Sequence, residues 1–442
     1  MDKENTISLV ENWGSEENSV VNMEISVPTE PEPEAVEVET ESSKVDKTKK
    51  FDINKSNSSY IIKECTEFDK MGLNDNLLRG IYGVGFERPS SIQQRSIVPL
   101  MDGRDMIAQS QSGTGKTGSF TIGSLNSIDL SRHETQVLVL APTRELASQI
   151  HGVYNDLSKY MKGIDISLVM GGMKNLSSYD AKLRSHVIVG TPGRVFDYLR
   201  RGIISNESIK LFILDEADEM LSQGFKEQIY TIFKFVPSSS QVVLFSATIP
   251  EEVLDLTKRF MNNPLKLLVK REELTLEGIS QYYIGMNRDN DKFMVLCSLY
   301  RDIEVTQCII YCNSVKKAHW LSKSLEENDF TVSMLVGEMA QSERKRILDS
   351  FKSGETRVLL TTNLLARGID IQQVSLVINY DIPFRKETYI HRIGRSGRFG
   401  RKGTAINFVT KYDVERLREI EEFYATEIEE LPENIGELIC QI

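Results

Sequence analysis

The sequence feature that most constrains the fold is a short apolar run that ends in acidic side chains. Residues 211–214 are all apolar, and Asp215, Glu216 and Asp218 follow them. Such a run is typical of a buried strand in a parallel sheet, which places the carboxylates at the carboxyl edge of that sheet. Further strand-like runs at residues 137–140, 186–189 and 242–245 each precede a polar or turn-rich segment. The sequence therefore predicts an α/β fold with a parallel sheet.

A glycine-rich loop at residues 113–117, with the sequence GTGKT, precedes these carboxylates in the chain. Backbone N–H groups of such a loop, together with Lys116, hold nucleotide phosphates, and the hydroxyl of Thr117 reaches Mg²⁺. Asp215 would bind the same Mg²⁺ from its other side, and Glu216 would position the attacking water. The two segments together predict an ATP or GTP hydrolase.

One position departs from the strict phosphate-loop pattern. That pattern places a glycine at the position that Ser110 occupies here. Taken alone, the loop also fits a Gly/Ser-rich surface turn, and the acidic segment fits an unrelated acidic turn. Their order in the chain and their position at strand ends favour the phosphate site.

Composition limits the class of protein. A chain of 442 residues that is 40% hydrophobic is long enough for two globular domains. No stretch approaches the roughly 18 apolar residues of a membrane span, and no apolar signal segment is present, so we expect a soluble intracellular protein. The five cysteines and five histidines form no ligand cluster, which predicts reduced thiols and no structural zinc. Cys308 and Cys312 fit either a metal pair or, within their apolar run, a core strand.

The net charge of −11 is unevenly distributed. Residues 1–50 contain thirteen acidic and five basic side chains, so that the rest of the chain carries only −3. We predict that this aromatic-poor segment is a disordered tail. Trp13 within it fits either a short motif for docking to a partner or an incidental aromatic residue. The nearly neutral remainder can still hold a local basic surface for RNA.

The strand-like runs fall into two groups on either side of a charged segment. The second group includes residues 308–312, 357–360 and 376–379. We therefore predict a first α/β domain at residues 51–269, a linker at 270–280 and a second α/β domain at 281–442.

The second domain contains basic residues that the first domain lacks. Arg395 and Arg398 are three positions apart, so on a helix they would share one face. Two guanidinium groups directed at a phosphate fit the arginine-finger role, which is worth roughly 10³–10⁵ in rate. The alternative is a solvated basic helix. If the fingers and the loop lie on different domains, hydrolysis requires the domains to close.

Several further motifs occur in the order of one family. They lie at residues 85–93, 142–147, 191–194, 246–248 and 366–370. With these motifs the chain, from about Phe68 onward, resembles the DEAD-box RNA helicases, most closely the eukaryotic translation initiation factor 4A group with its nuclear paralogues. The resemblance implies two tandem RecA-like domains with parallel sheets.

The resemblance also implies the residues of the ATP site. Phe68 would stack on adenine, and the amide of Gln93 would read its edge, which selects ATP. Glu216, Lys116, Arg395 and Arg398 would be catalytic, with Mg²⁺ held by Thr117 and Asp215. The remaining nucleotide contacts would be Arg88, Ser110, Gln111, Ser112, Gly113, Thr114, Gly115, Gly368 and Asp370.

The RNA site implied by the resemblance consists mainly of glycines, hydroxyls and arginines. It comprises Arg144, Gly171, Gly172, Thr191, Gly193, Arg194, Gln341, Arg344 and Thr362. Such groups suit contacts to phosphates and 2′-OH groups rather than to bases. Without the resemblance, Gly171 and Gly172 fit a simple turn. Asp218, Ser246, Thr248 and His391 would couple the two sites.

The expected activity is local, non-processive unwinding of short RNA duplexes, with single-stranded RNA bound across two domains of a monomer. The resemblance implies a scaffold partner of the initiation-factor 4G type or a nuclear equivalent, no membrane, and a cytoplasmic location, with the nucleus or nucleolus as the alternative. Two other functions stay open: an ATP-gated RNA clamp held by partners, and a DNA-directed motor. The segment at residues 336–338, Val-Gly-Glu, departs from the family's usual His-Gly-Asp, which puts fine RNA or interdomain contacts in doubt.

Overall fold

The computed structural model describes residues 64–111, 113–172, 182–221, 225–268, 278–302, 307–363, 374–396 and 403–432. The predicted acidic tail and most of the predicted linker lie outside these ranges. So do five residues named above, namely Trp13, Ser112, Gly368, Asp370 and Arg398. What was inferred for them from the sequence stays a prediction.

The first sheet is entirely parallel, as the apolar runs predict. Its strands are β1 (Met106–Gln109), β2 (Val137–Leu140), β3 (Ile166–Val169), β4 (Val187–Gly190), β5 (Leu211–Asp215), β6 (Gln241–Ser246) and β7 (Leu265–Leu267). They lie in the order β3-β4-β2-β5-β6-β1-β7. The strand before the acidic segment is therefore near the centre of the sheet.

Helices pack on both faces of this sheet. They are α1 (Asp75–Gly83), α2 (Ser91–Met101), α3 (Lys116–Asn126), α4 (Arg144–Leu157), α5 (Pro192–Arg200), α6 (Ala217–Leu221), α7 (Lys226–Phe235) and α8 (Glu251–Phe260). Alternate residues of each strand enter opposite apolar layers: Val137 and Val139 lie in one, Leu138 and Leu140 in the other. Burial on both faces explains why the central strands are continuous apolar runs.

The second sheet repeats this architecture. Its strands are β8 (Ile279–Met286), β9 (Cys308–Tyr311), β10 (Ser333–Leu335), β11 (Val358–Thr361), β12 (Leu376–Asn379), β13 (Gly403–Thr410) and β14 (Glu429–Glu430). All pairs are parallel, in the order β10-β11-β9-β12-β13-β8-β14. The helices are α9 (Asp291–Asp302), α10 (Val315–Glu326), α11 (Gln341–Ser353), α12 (Lys386–Ile393) and α13 (Val414–Tyr424). The predicted α/β class with parallel sheets is confirmed.

The two cysteines that are four residues apart belong to the second core. Cys308 begins β9 and Cys312 directly follows it, and both side chains are buried among apolar residues. Burial raises the pKa of the Cys312 thiol to about 12, which disfavours the thiolate that a metal would need. The core-strand interpretation of this pair is therefore correct.

Strand order divides the loops at the carboxyl edge of the first sheet into two neighbouring groups. The loops after β5, β6 and β1 belong to adjacent strands, and those after β3, β4 and β2 belong to another adjacent set. Ligands of open α/β sheets bind at this carboxyl edge. The predicted phosphate residues follow the first set and the predicted RNA residues of this domain follow the second.

No helix in the described part of the chain combines the length and hydropathy that crossing a lipid bilayer requires.

Replacing Gly80 by alanine should destabilise the chain, although alanine is the better helix former. A Cβ at Gly80 would lie 1.9 Å from the carbonyl oxygen of Leu157, where α1 packs on α4. A Cβ at Gly152, inside α4, would meet nothing within 4 Å. We expect Gly80→Ala to lower the free energy of unfolding by about 1–3 kcal/mol, and Gly152→Ala to raise it by about 0.5–1 kcal/mol. Urea denaturation measures both, and similar effects of the two changes would contradict the described packing.

Candidate functional site

The glycine-rich loop joins the end of β1 to the start of α3. Gly113 and Gly115 have φ of 85° and 99°, in the left-handed region that favours glycine. Gly115 also lies close to Gln93. A Cβ at position 115 would be only 2.8 Å from the amide nitrogen Nε2 of Gln93, so a larger residue would displace that side chain. Lys116 is the first residue of α3. The free N–H groups of a helix start, together with a lysine, form a site suited to phosphate.

Ser110 fits the loop without a glycine. Its N–H donates to the carbonyl of Ser246 at 3.0 Å, and its φ is not positive. Its hydroxyl lies 2.5 Å from the hydroxyl of Thr114, which also donates to the carbonyl of Gln111 at 2.8 Å. The departure from the strict pattern therefore adds a hydrogen bond inside the loop.

The acidic segment meets the loop directly. Nζ of Lys116 lies 3.3 Å from Oε1 of Glu216, and both side chains are buried. Glu216 has φ of 54°, and its N–H donates to Oδ1 of Asp215 at 3.0 Å. A positive φ is uncommon in a residue with a side chain, and strained backbone tends to cluster at functional sites. The turn directs two successive carboxylates toward the loop.

Buried negative charge accumulates at this point. Burial and then the neighbouring Glu216 carboxylate raise the pKa of Asp215 to about 7, whereas Lys116 opposes the rise. A divalent cation would offset this charge and favour the ionised carboxylates. The oxygen donors of Asp215 and of half-buried Thr117, at the start of α3, are of the type that Mg²⁺ prefers. These residues fit the predicted Mg²⁺ site.

Asp218 ties the acidic segment to the loop that follows β6. Its N–H donates to the hydroxyl of Ser246 at 3.3 Å, and the Thr248 hydroxyl donates to its Oδ2 at 2.6 Å. Ser246 in turn accepts the N–H of Ser110 through its carbonyl. Asp218, Ser246 and Thr248, all predicted to couple the two sites, therefore form one connected set beside the phosphate loop.

His391, on α12 of the second domain, reaches the same carboxylate. Its Nε2 lies 3.0 Å from Oδ2 of Asp218, and its Nδ1 lies 3.8 Å from Oε2 of Glu216. Nε of Arg395, one turn later, donates to the carbonyl of His391 at 3.0 Å, and its side chain is buried. The structure thus brings residues of both sheets together at the acidic segment.

Sequence reasoning missed the role of Arg392. Its guanidinium is fully buried and donates to side-chain oxygens of Asn313 (2.7 Å), Asn363 (2.6 and 3.0 Å) and Asn379 (3.1 Å). It also lies 5.1 Å from the ring centre of Tyr311. These contacts anchor α12, which carries His391, to β9 and β12. The only signal in the sequence is its place between two predicted site residues.

The residues predicted to bind adenine lie near the loop but are engaged within the protein. Gln93 accepts the N–H of Ser90 at 2.9 Å and donates to the carbonyl of Gly115 at 3.2 Å. Phe68 is fully buried and stacks on Phe86 with ring centres 6.5 Å apart. Its ring has no exposed face in this conformation, so stacking on a base stays a prediction. Arg88 lies on the surface.

A cavity of about 610 Å³ lies at the other group of loops. Residues from loops and helices of both domains line it. Six residues predicted to bind RNA line it: Arg144, Gly171, Thr191, Gly193, Arg194 and Arg344. Gly337, from the segment that departs from the family pattern, lines it as well. Thr362 follows β11 and is not among the lining residues.

Gly171 and Gly172 make room for Arg144. A Cβ at Gly171 would lie 2.8 Å from Nη2 of Arg144, and one at Gly172 would lie 3.2 Å from its Nη1. Gly172 also has φ of 87°. The two glycines therefore do more than form a turn. Because they have no side chains, the guanidinium of Arg144 can lie against their backbone.

Gln341 and Arg344, at the start of α11, contact a residue that sequence reasoning did not select. Nη2 of Arg344 donates to Oε2 of Glu145 at 2.5 Å, and Nε2 of Gln341 donates to Oε1 at 3.3 Å. Glu145 follows Arg144 on α4, so this contact joins α4 of the first domain to α11 of the second beside the cavity.

Two family models match the chain. The DEAD/DEAH box helicase model matches residues 90–256, and the helicase conserved C-terminal domain model matches residues 291–400. The chain is 55% identical over 372 residues to the "ATP-dependent RNA helicase eIF4A" of Meyerozyma guilliermondii, covering 84% of this chain and 94% of that protein. It is 56% identical over 374 residues to "Eukaryotic initiation factor 4A" of Caenorhabditis elegans, covering 84% and 92%.

Solved structures resemble the chain over both sheets. S. cerevisiae Dbp5 bound to RNA and ADP BeF3 is 38% identical, with a TM-score of 0.81, and the match covers 85% of this chain and 99% of that one. Mss116p bound to ssRNA and AMP-PNP is 28% identical, with a TM-score of 0.74 and coverage of 85% and 81%. The predicted arrangement of two tandem RecA-like domains is confirmed.

Replacing Arg392 by methionine should strongly destabilise the second domain. The change keeps the aliphatic length but removes the charged donor from the amide oxygen of buried Asn379 and from those of Asn313 and Asn363, and it empties a fully buried polar position. We expect the free energy of unfolding to fall by about 3 kcal/mol or more. Arg346→Met, at an exposed position of α11, is the control and should change it by less than about 0.5 kcal/mol. Equal effects in urea denaturation would contradict an anchoring role.

Proposed function

This chain belongs to the DEAD/DEAH box family of ATP-dependent RNA helicases, and we propose that it unwinds short RNA duplexes by closing its two domains around ATP and single-stranded RNA. The observation that carries this proposal is the contact of His391 with Asp218, 3.0 Å apart, which joins the second domain to the acidic segment of the first. The cavity that holds the predicted RNA residues is likewise lined by both domains. Closure therefore completes both sites at once.

In the ATP site, the glycine-rich loop and Lys116 bind the phosphates. Thr117 and Asp215 would hold Mg²⁺, which neutralises charge on the phosphate oxygens when bound. Glu216 orients the attacking water and accepts its proton. The turn with positive φ directs its carboxylate toward the glycine-rich loop, where the phosphates would bind. Arg395 and Arg398, from the second domain, stabilise charge on the transferred phosphoryl group.

For the base of ATP, Phe68 and Gln93 are proposed to select adenine. Both are engaged within the protein in this conformation, so nucleotide binding would exchange the Gln93 hydrogen bonds and open one face of the Phe68 ring. Such rearrangements on binding are common for segments that close over a ligand.

In the RNA site, arginines and backbone groups grip the sugar-phosphate chain. The cavity presents Arg144, Arg194 and Arg344 together with Thr143, Thr191 and two glycines of the first domain, and the lining residues that the structure describes include no amide side chain for reading bases. Binding should therefore be independent of sequence but sensitive to the 2′-OH. A strand held in a cavity formed by closure cannot keep a partner strand along the same path, which would separate a short duplex.

We propose a role in translation initiation, in the cytoplasm, with a scaffold of the initiation-factor 4G type as partner. The support is the likeness to proteins named as initiation factor 4A. A nuclear or nucleolar role, including an RNA clamp that partners hold closed, is the alternative. Phosphate release that remains stimulated by RNA when the copurifying partner is added favours the helicase; arrested turnover favours the clamp.

Hydrolysis should be stimulated by RNA and not by DNA. We expect single-stranded RNA to raise the ATPase rate at least about tenfold more than DNA of the same sequence, because the DNA lacks the 2′-OH contacts. Steady-state phosphate release with each polymer at saturation is the measurement. Equal stimulation by both would indicate a DNA-directed motor and would refute the proposal.

Glu216→Gln should abolish turnover while ATP still binds. The amide keeps the size of the side chain but cannot accept a proton, so we expect the RNA-stimulated rate to fall by about 10²–10⁴-fold, with ATP affinity changed by less than threefold in a fluorescent-nucleotide titration. Glu251→Gln, at an exposed position of α8, is the control. Near-normal turnover in Glu216→Gln would remove this residue from its assigned role.

A further inference from the structure

The two sheets have the same strand order, so each strand of the first has a counterpart in the second. By position, β8 corresponds to β1, and β12 corresponds to β5. Helix α3 follows β1 with Lys116 as its first residue, and α9 follows β8 with Lys292 as its second. The second domain therefore has a lysine where the first has the lysine of its phosphate loop.

The strand register gives Lys292 a carboxylate partner at the corresponding place. The last residue pair between β2 and β5 includes Leu214, and the last pair between β9 and β12 includes Asn379. Glu216 and Asp381 each lie two residues further along the chain. Nζ of Lys292 lies 3.4 Å from Oδ1 of Asp381, close to the 3.3 Å of the corresponding pair in the first domain. The second domain thus repeats the lysine–carboxylate pair of the ATP site.

The surroundings of the two pairs differ. The residue before the carboxylate is Asp215 in the first domain and Tyr380 in the second. A ring, unlike the Asp215 carboxylate, offers no charged oxygen to a metal ion. The loop at residues 287–290, which leads into α9, contains no glycine and no residue with positive φ. It therefore lacks the glycine turns with which the first loop surrounds a phosphate.

Two side chains of the second domain occupy the space around its pair. Nζ of Lys292 lies 2.8 Å from Oδ1 of Asp289, in the loop before α9. Nζ of Lys317, on α10, lies 3.1 Å from Oδ2 of Asp289 and 2.8 Å from Oδ1 of Asp381. The charges alternate: ammonium, carboxylate, ammonium, carboxylate. A nucleotide site has the same alternation, with the lysine, a phosphate, the metal ion and an acidic residue in that order.

The network keeps its charges in a largely buried place. The exposed fractions of the Lys292 and Asp381 side chains are 3% and 9%. Burial opposes ionisation of Asp289, but hydrogen bonds from the two lysines hold its pKa below the usual value. Burial likewise opposes the charge on Lys317, but its hydrogen bonds to the two carboxylates raise its pKa. Two cations and two anions therefore compensate one another, as buried charges require.

We propose that the second domain contains a phosphate-type site that its own side chains fill: the Asp289 carboxylate takes the place of a phosphate on Lys292, and the Lys317 ammonium takes the place of the metal ion beside Asp381. The site would accept a tetrahedral oxyanion such as inorganic phosphate once Asp289 is removed. This inference does not depend on the RNA site or on the proposed unwinding.

The internal ligands fix the end of β12 without any bound nucleotide. Oδ2 of Asp381 accepts the N–H of Asn313 at 3.0 Å, and its carbonyl accepts Nη1 of Arg392 at 2.7 Å. Arg392 anchors α12, which carries His391. The filled site therefore supports the helix that reaches the acidic segment of the first domain, whether or not ATP is present.

Asp289 is the member of the network that can be removed with least disturbance. It lies in a loop, and its side chain is 57% exposed, whereas Lys292 is buried. Without this carboxylate, the ammonium groups of Lys292 and Lys317 would share Asp381 alone. The excess positive charge would open to solvent on the side where Asp289 was, and a free anion could enter there.

The test is rescue of Asp289→Ala by inorganic phosphate. We expect the substitution to lower the melting temperature of the ligand-free chain in chloride. Phosphate at about 50 mM, compared with chloride of equal ionic strength, should then raise it by at least about 3 °C more than it raises that of the unchanged chain. The phosphate loop of the first domain is identical in both chains, so its own response cancels. Asp349→Ala, at an exposed position of α11, is the control and should respond as the unchanged chain does.

A second substitution shows whether phosphate binds at the proposed place. Adding Lys317→Gln to Asp289→Ala should abolish the extra response, because one of the two ammonium groups is then missing. Adding Lys323→Gln, at an exposed position of α10, should leave the response intact.

Three results would overturn the proposal. They are an unchanged melting temperature of Asp289→Ala in chloride, a phosphate response equal to that of the unchanged chain, and an extra response that survives Lys317→Gln.

Discussion

One carboxylate oxygen, Oδ2 of Asp218, holds together the residues of both domains at the acidic segment. It accepts the hydroxyl of Thr248 at 2.6 Å and lies 3.0 Å from the ring of His391. Three chain segments thus meet at one buried atom: the acidic turn after β5, the loop after β6 and helix α12. A buried acceptor that loses its donors is costly, so none of these segments moves without affecting the others. This is a physical link between the predicted ATP site and the second domain.

The domains also meet at a second contact, between Glu145 and Arg344. The strand order of the first sheet places it apart from the contact of Asp218 with His391. Asp218 follows β5, whereas Glu145 lies on the helix after β2, a neighbour of β5 in the sheet. The residues predicted to bind nucleotide and those predicted to bind RNA therefore occupy adjacent stretches of one edge of the sheet, and each stretch has its own contact with the second domain. Two such contacts would let both ligands favour the proposed closure, which is what coupling between distinct sites requires.

Features that depend on a local pattern of residue types, such as strands and the glycine-rich loop, can be predicted from the sequence. The central strands were predictable because burial on both faces requires continuous apolar runs, and the phosphate loop because its glycines need positive φ. The Glu145–Arg344 pair was not, because its members are 199 residues apart and each alone resembles an ordinary charged helix residue. Arg392 was missed for a similar reason: its asparagine partners come from three separate segments. Long-range polar contacts leave no periodic signal in a sequence.

If the domains close only when both ligands are bound, the distance between the domains falls only then. Donor and acceptor dyes on non-natural residues at Lys234 and Lys323, which are exposed on helices of different domains, would report it by energy transfer. We expect high transfer only when AMP-PNP and single-stranded RNA are both present, and low transfer with either one alone or with neither. The same transfer efficiency in all four conditions would contradict it.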